Sequence, residues 1–252
     1  MGILKTPSEI EIMTEAGRRL ASVLSRLQAE VRPGISTRYL DERSRALIKE
    51  SGCRPAFLGY KPHGAAKAYP ATLCASVNDT VVHGLPSGYV IQEGDLVKLD
   101  LGLIHKGFYS DAAVTVGVGN ISPIAKDLIR TTREALTRGI AEAWSGKTLG
   151  DIGWAIEKYV TARKFSIVET LSGHGIGTEL HEEPYVLNVG RPHEGDILEV
   201  GMVLAIEPMV AVGSGRVKCI KDDSYVTMDG SIAAHFEHTI AITKEGPKIL
   251  TQ

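Results

Sequence analysis

The chain has 252 residues, of which 28 are lysine or arginine and 30 aspartate or glutamate, with 43% hydrophobic and 23% charged composition. This profile predicts a soluble globular protein of one domain or two closely packed halves, and a formal net charge of -2 leaves no basic excess for specific nucleic-acid binding. Apolar runs such as Met202 to Ile206 are too short to span a bilayer, no secretory leader is legible, and the scattered Cys53, Cys74 and Cys219 form no disulfide framework, so a cytoplasmic protein without membrane association is expected.

Gly2 and Thr6 fit the loose pattern for N-myristoylation, a pattern so short that chance explains it better. Ser8 with Glu11 predicts a capping box opening an amphipathic helix, whose apolar face is Ile12, Ala16, Leu20, Val23, Leu24 and Leu27 and which stops before Pro33-Gly34. Ser36 or Thr37 caps a second helix bearing Leu40, Leu47 and Ile48 and ending at Gly52. The same grammar returns in the helix-like stretch Ile124 to Ala143, the punctuation at Gly146 and Thr148, and the helical pattern from Ile152 to Val160. Ile12 and Ile124, Leu24 and Leu136, Gly34 and Gly146, Ser36 and Thr148, and Leu40 and Ile152 all differ by 112, which points to an internal duplication. Strand-like segments follow each helix pair, each set containing a Glu-Gly-Asp turn at residues 93–95 and 194–196. An α+β fold of two halves, with strands meeting centrally and helices outside, is the simplest arrangement, and a site at the seam follows naturally.

Four clusters along these strands carry chemistry. Residues 96–102 alternate so that Lys98 and Asp100 share a face opposite Val97, Leu99 and Leu101, and the next strand, Phe108 to Val116, carries Asp111. A turn centred on His105-Lys106 sets Asp100 opposite Asp111; one centred on Lys106-Gly107 sets Asp100 opposite Ala113, a diagonal step from Asp111. Either register brings two carboxylates together, which costs stability unless a cation or proton lies between them. His174 and His181 frame a segment in which Gly173, Gly175 and Gly177 disfavour a helix and let the backbone bend closely around a ligand; a lone histidine is as readily a packed or surface residue. Glu207 ends an otherwise apolar strand, and Glu237 stands on the face opposite Phe236, His238, Ile240 and Ile242; a charge in either place is expensive unless paired. Together Asp100, Asp111, His174, Glu207 and Glu237 offer four carboxylates and one imidazole. Two divalent ions bridged by shared carboxylates balance that charge, the hard ligands suit Co, Mn, Fe(II) or Zn, and the chemistry suggested is metal-assisted hydrolysis with a bridging hydroxide.

In order and spacing, the segments from Leu73 to Pro86, Lys98-Leu-Asp100-Leu-Gly, Tyr109-Ser-Asp111, Gly-His174-Gly-Ile-Gly, His181-Glu-Glu-Pro, Ile-Glu207-Pro-Met and Phe-Glu237-His-Thr resemble the short, type I methionine aminopeptidases. These are metallopeptidases of the creatinase-like "pita-bread" fold, and the resemblance covers almost the whole chain. It implies that the five ligands hold two metal ions, Asp111 and Glu237 bridging, and that Glu207 also moves the proton from attacking water to the leaving amine. It implies that His181 contacts the first peptide bond and steadies the tetrahedral intermediate, and that His83 hydrogen-bonds the substrate close by. Tyr60 and Cys74, with Phe57 and Tyr69, match the apolar wall of the methionine pocket, although plain core packing is an equal reading of each. The implied activity is removal of initiator methionine from nascent chains whose next residue is small. The expected substrates are nascent polypeptide N-termini, met at the ribosome, and the expected state is a monomeric single catalytic domain over residues 1–252 with halves at 8–119 and 120–252.

The chain departs from the family pattern at several places. Leu180 stands where phenylalanine is common, Leu171 where an aromatic or methionine is usual, and His235 where glutamine is usual, while residues 222–226 lack a pocket tryptophan. None is a metal ligand, so these departures bear on pocket shape and metal preference. Two other readings remain open from sequence: a proline-specific peptidase of the same fold, and a binding protein that has lost catalysis.

Overall fold

The computed structural model of the protein describes residues 3–61 and 67–252, so Gly2 lies outside the described residues. Helix α1 (Pro7–Glu30) opens earlier than its sequence pattern predicts. The Thr6 side chain accepts the Glu9 amide while the Glu9 carboxylate accepts the Thr6 amide, so the capping box is Thr6–Glu9 rather than Ser8–Glu11. Pro7 explains the shift: at the first helical position its fixed φ suits the helix and its missing N–H would be unsatisfied anyway. Met13, fully buried, takes the core position expected of the half-buried Ile12.

Helix α2 (Thr37–Glu50) follows, and α3 (Pro123–Glu142) and α4 (Leu149–Thr161) repeat the α1–α2 pattern. Ser36 caps α2 and Thr148 caps α4, and the glycines two residues before them, Gly34 and Gly146, have φ of 91° and 90°. Ser36 bridges to Val90 and Thr148 to Ile197, each within a few residues of a Glu-Gly-Asp turn. The duplication read from the sequence is therefore a repeat of local geometry.

Among the described residues, nine strands form the main sheet: β1 (Arg54–Pro55), β2 (Leu73–Val77), β3 (Leu96–His105), β4 (Phe108–Gly117), β5 (Ser172–Gly175), β6 (Glu182–Leu187), β7 (Val203–Ile206), β8 (Glu237–Thr243) and β9 (Gly246–Ile249). The order is β1-β3-β4-β8-β7-β5-β6, with β2 also pairing with β3 and β9 with β8, and each of these pairings is antiparallel. The β4–β8 pairing joins a strand of the first half to one of the second. Strand parity then sorts the faces. Val97, Leu99, Leu101 and Leu103 pack with Leu20, Leu27, Leu40 and Ile48 from α1 and α2. Ile240 and Ile242 pack with Leu128, Leu136, Ile152 and Ile156 from α3 and α4. Burying each such side chain contributes about 1.5–3 kcal/mol, so the helix pairs hold one sheet face and leave the alternate residues of β3 and β8 to the other.

Candidate metal centre

Ala113 lies at the hub of the acidic residues. It is paired with Asp100 across β3–β4 and with Glu237 across β4–β8, and directly paired residues share a sheet face. Asp111, two residues earlier on β4, is on that face as well. The β3–β4 hairpin turns on Lys106-Gly107, with φ of 49° and 86°, so the second of the two registers allowed by the sequence is the one adopted. Positive φ at both central residues is the demand of a tight turn whose twist matches its strands.

A second row crosses the same face. His174 on β5 pairs with Ala205 on β7, which pairs with Thr239 on β8. Thr239 reaches Asp111 through its hydroxyl, accepting from the Asp111 amide at 3.0 Å and donating to the Asp111 carbonyl at 2.7 Å. Glu207 follows the end of β7, its Oε1 3.6 Å from His174 Nε2. Donor atoms of Asp111, His174 and Glu237 all lie within 4.8 Å of one another, and all three residues are buried.

The electrostatics suit a cation. Asp100 Oδ1, Asp111 Oδ1 and Glu237 Oε1 are buried without a hydrogen-bond partner, which for protein groups alone is costly. Burial, reinforced by the other carboxylates, pushes Asp100, Glu207 and Glu237 well above the usual carboxyl range, and burial raises Asp111 to about 7. Burial lowers His174 to about 4, and its Nδ1 lies 2.9 Å from the Gly175 carbonyl. Nδ1–H therefore donates to that carbonyl and leaves the Nε2 lone pair for a ligand, the arrangement that fixes a metal-binding imidazole. Lys98 shares the face of Asp100, but its buried ammonium donates to the carbonyls of Asn78 at 2.7 Å and Ala233 at 3.2 Å. Burial lowers that ammonium to about 7, and its hydrogen bonds go to backbone, not to the carboxylates.

These groups open onto a cavity of about 490 Å³, a size that admits an amino-acid side chain and adjoining backbone. Asp100, Asp111, His174, Glu207 and Glu237 line it, as do His83, His181, Phe57, Tyr60, Tyr69 and Cys74, so every residue given a ligand, substrate or pocket role from the sequence reaches one space. His83 has φ of 58°, an uncommon conformation held by the Ser224 hydroxyl, which donates to its carbonyl, and by Gly84, where a Cβ would collide with Ser76. The His181 ring lies 4.4 Å from that of His174, and its Nδ1 is 2.6 Å from the Tyr60 hydroxyl. The cavity walls and the neighbouring His174 lower the His181 imidazole.

Several lining or neighbouring residues have no role assigned from the sequence, or enter it only as departures from the family pattern that bear on pocket shape. Leu85 and Leu180 extend the apolar wall, and Lys221, Asp222 and Asp223 also border it. His235, two residues before Glu237, is buried with Nε2 3.2 Å from Glu207 Oε2. Leu171 packs instead with the cluster of Val81, Val168 and Met209, behind the cavity.

Comparison with known proteins agrees with this geometry. The family described as "Metallopeptidase family M24" matches residues 11–244. A methionine aminopeptidase of Clostridium perfringens is 48% identical over 252 residues, covering 100% of this chain and 99% of that protein, and methionine aminopeptidase 1 of Bacillus subtilis is 45% identical with both chains fully covered. The crystal structure of a Thermotoga maritima methionine aminopeptidase superposes with a TM-score of 0.95 at 42% identity and full coverage of both chains. A Pyrococcus furiosus prolidase shares the fold at a TM-score of 0.80 and 25% identity, but the match takes in 99% of this chain and only 65% of the prolidase. The pita-bread fold, the seam of carboxylates and these full-length relatives together place the chain in metallopeptidase family M24, among its methionine aminopeptidases.

Proposed function

We propose that the protein removes the N-terminal methionine from polypeptides whose second residue is small, with Asp100, Asp111, His174, Glu207 and Glu237 holding two divalent ions. The observation that carries this is the meeting of the buried carboxylates of Asp100, Asp111 and Glu237, the half-buried carboxylate of Glu207 and one imidazole with a free Nε2 in the lining of a single cavity. Bound there, Co, Mn, Fe(II) or Zn would supply Lewis-acid activation of water and of the scissile carbonyl. The donor set fits any of them, and Asp111 and Glu237, whose donor atoms lie within 4.8 Å of each other and of the His174 imidazole, would be shared between the two ions.

The other residues have separate tasks. Glu207 takes and returns a proton as well as serving as a ligand. The Tyr60 phenol, its pKa raised by burial, keeps its proton and donates it to His181 Nδ1, so the neutral imidazole carries its own proton on Nε2. From there His181 donates to the peptide bond next to the methionine, and His83 donates to the same region. Phe57, Tyr60, Tyr69, Cys74 and Leu180 receive the methionine side chain, and the confined cavity rejects a bulky second residue by steric exclusion. Residues 1–252 act as one catalytic unit whose halves, 8–119 and 120–252, each contribute ligands. The substrates are nascent N-termini, encountered at the ribosome in the cytoplasm, by a protein that works as a monomer. No helix among the described residues is long and apolar enough to cross a membrane.

Metal-stripped protein given Mn, Co or Fe(II) should release methionine from a Met-Ala-Ser peptide and leave an Ala-Pro substrate intact. Cleavage of Ala-Pro alone would move the protein to the proline-specific branch of the fold, and silence on both with every metal would favour a binding role.

A further inference from the structure

Lys5 stands outside the cavity, yet its ammonium is buried within the loop that presents His181. The loop from Gly177 to Glu182 folds around the Glu182 carboxylate, whose Oε1 accepts the Glu179 amide at 3.2 Å and whose Oε2 forms an ion pair with Lys5 Nζ. Both side chains are only 4% exposed. The two residues are 177 positions apart, so the pair ties the start of the chain to a loop in its second half. Lys5 is itself fixed at two points. Its amide donates to the Gly201 carbonyl at 2.8 Å, just before β7, and its ammonium also donates to the Ile3 carbonyl at 2.9 Å. Gly177 completes the fit, because a Cβ there would collide with the Lys5 side chain and with Glu182. The Gly177 carbonyl in turn accepts the Tyr109 amide at 2.8 Å, two residues from Asp111.

We propose that Lys5 is a positioning residue for His181. Glu182 adjoins His181 in the chain, so an ammonium locked on its carboxylate fixes the backbone from which the imidazole projects. Tyr60 fixes the other end of the histidine through Nδ1. A carboxylate buried in a loop is retained only if paired, and the cation that pairs it is delivered by the segment preceding α1. Anchoring at Gly201 places Lys5 at the base of β7, which leads to Glu207, so one residue, through its backbone amide and its ammonium, sets the spacing between the His181 loop and the Glu207 strand. The inference rests on the substrate-binding role proposed above for His181.

The test uses the full chain loaded with metal. Lys5→Met alone strands a buried carboxylate and can fail to fold, so the informative protein is Lys5→Met/Glu182→Gln, which removes both charges and keeps both shapes. Metal affinity by calorimetry should match the wild type, while kcat on Met-Ala-Ser falls roughly tenfold or more and KM changes less, as expected when a group that acts in the transition state is misplaced. In a His181→Ala background the same pair of substitutions should lower kcat no further, because the residue through which Lys5 acts is already gone. Wild-type kcat in the double variant, or an undiminished fold-loss in the His181→Ala background, would overturn the proposal. Wild-type turnover in His181→Ala itself would instead overturn the reading of His181, and this inference with it.

Discussion

Ala113 shows how a small side chain can matter as much as a ligand. It sits between Asp100 and Glu237 in one cross-strand row, nearly fully buried, and its single methyl leaves the two carboxylates free to converge. Ala113→Val inserts two methyl groups at that hub, where overpacking forces neighbours aside by amounts that cost about 1–3 kcal/mol. The fold should survive, by circular dichroism, while divalent-metal affinity drops roughly tenfold or more, the scale seen when groups orienting a metal ligand are disturbed. Unchanged affinity in a folded Ala113→Val protein would show that the row does not set the carboxylate spacing. The ligands themselves are simpler: Asp100→Ala or Glu237→Ala should abolish turnover with loss of bound metal, whereas His181→Ala should lower turnover with metal retained. At this scale the sequence discloses ligand types well, because a carboxylate within an apolar strand, or at its end, is too costly to bury without a cation beside it. It does not disclose His235 beside Glu207 or the buried Lys98 ammonium, since both depend on which backbone lies opposite.

Among the elements, the two helix pairs are legible because their signals are local: caps, apolar spacing and glycine stops. Ser36 and Thr148 illustrate this, since each is a helix N-cap and each accepts an amide three residues on. Ser36→Ala and Thr148→Ala should each cost about 1 kcal/mol in chemical denaturation. Equal, negligible losses would mean that tertiary packing alone holds those helix ends. The first capping box lies beyond the same logic, because Ser8–Glu11 and Thr6–Glu9 both satisfy the sequence pattern and only the compatibility of Pro7 with the first helical position separates them. The β3–β4 register is a similar case. His105-Lys106 and Lys106-Gly107 both suit a turn, and the choice is made by the twist of the strands and by pairing along all ten residues of β3. The sheet order, which brings β4 of one half against β8 of the other, has no local signature and emerges only from long-range packing.

For the whole molecule, the seam of carboxylates links stability to pH and to metal. Asp100, Asp111, Glu207 and Glu237 all have folded-state pKa values raised by burial, Asp111 to about 7. A raised carboxyl stabilises the fold fully below its unfolded pKa of about 4 and loses that contribution as pH rises through the folded value. Metal-free protein should therefore lose stability as pH rises above about 4, Asp111's share going as pH rises through about 7 and the other three carboxylates adding to the loss, and the gain in Tm on adding a divalent ion should grow with pH in the same direction. A metal-induced gain independent of pH would contradict the assignment, since ligands must shed protons to bind. The decisive test of the metal centre is calorimetric titration of metal-stripped protein with Mn or Co, with methionine release from Met-Ala-Ser recorded at each addition and Glu237→Ala measured alongside. Turnover should be absent without metal, rise as the wild-type sites fill, and stay absent in Glu237→Ala with weakened binding. Full turnover by stripped protein, or wild-type binding and turnover in Glu237→Ala, would contradict a catalytic metal centre built on these carboxylates.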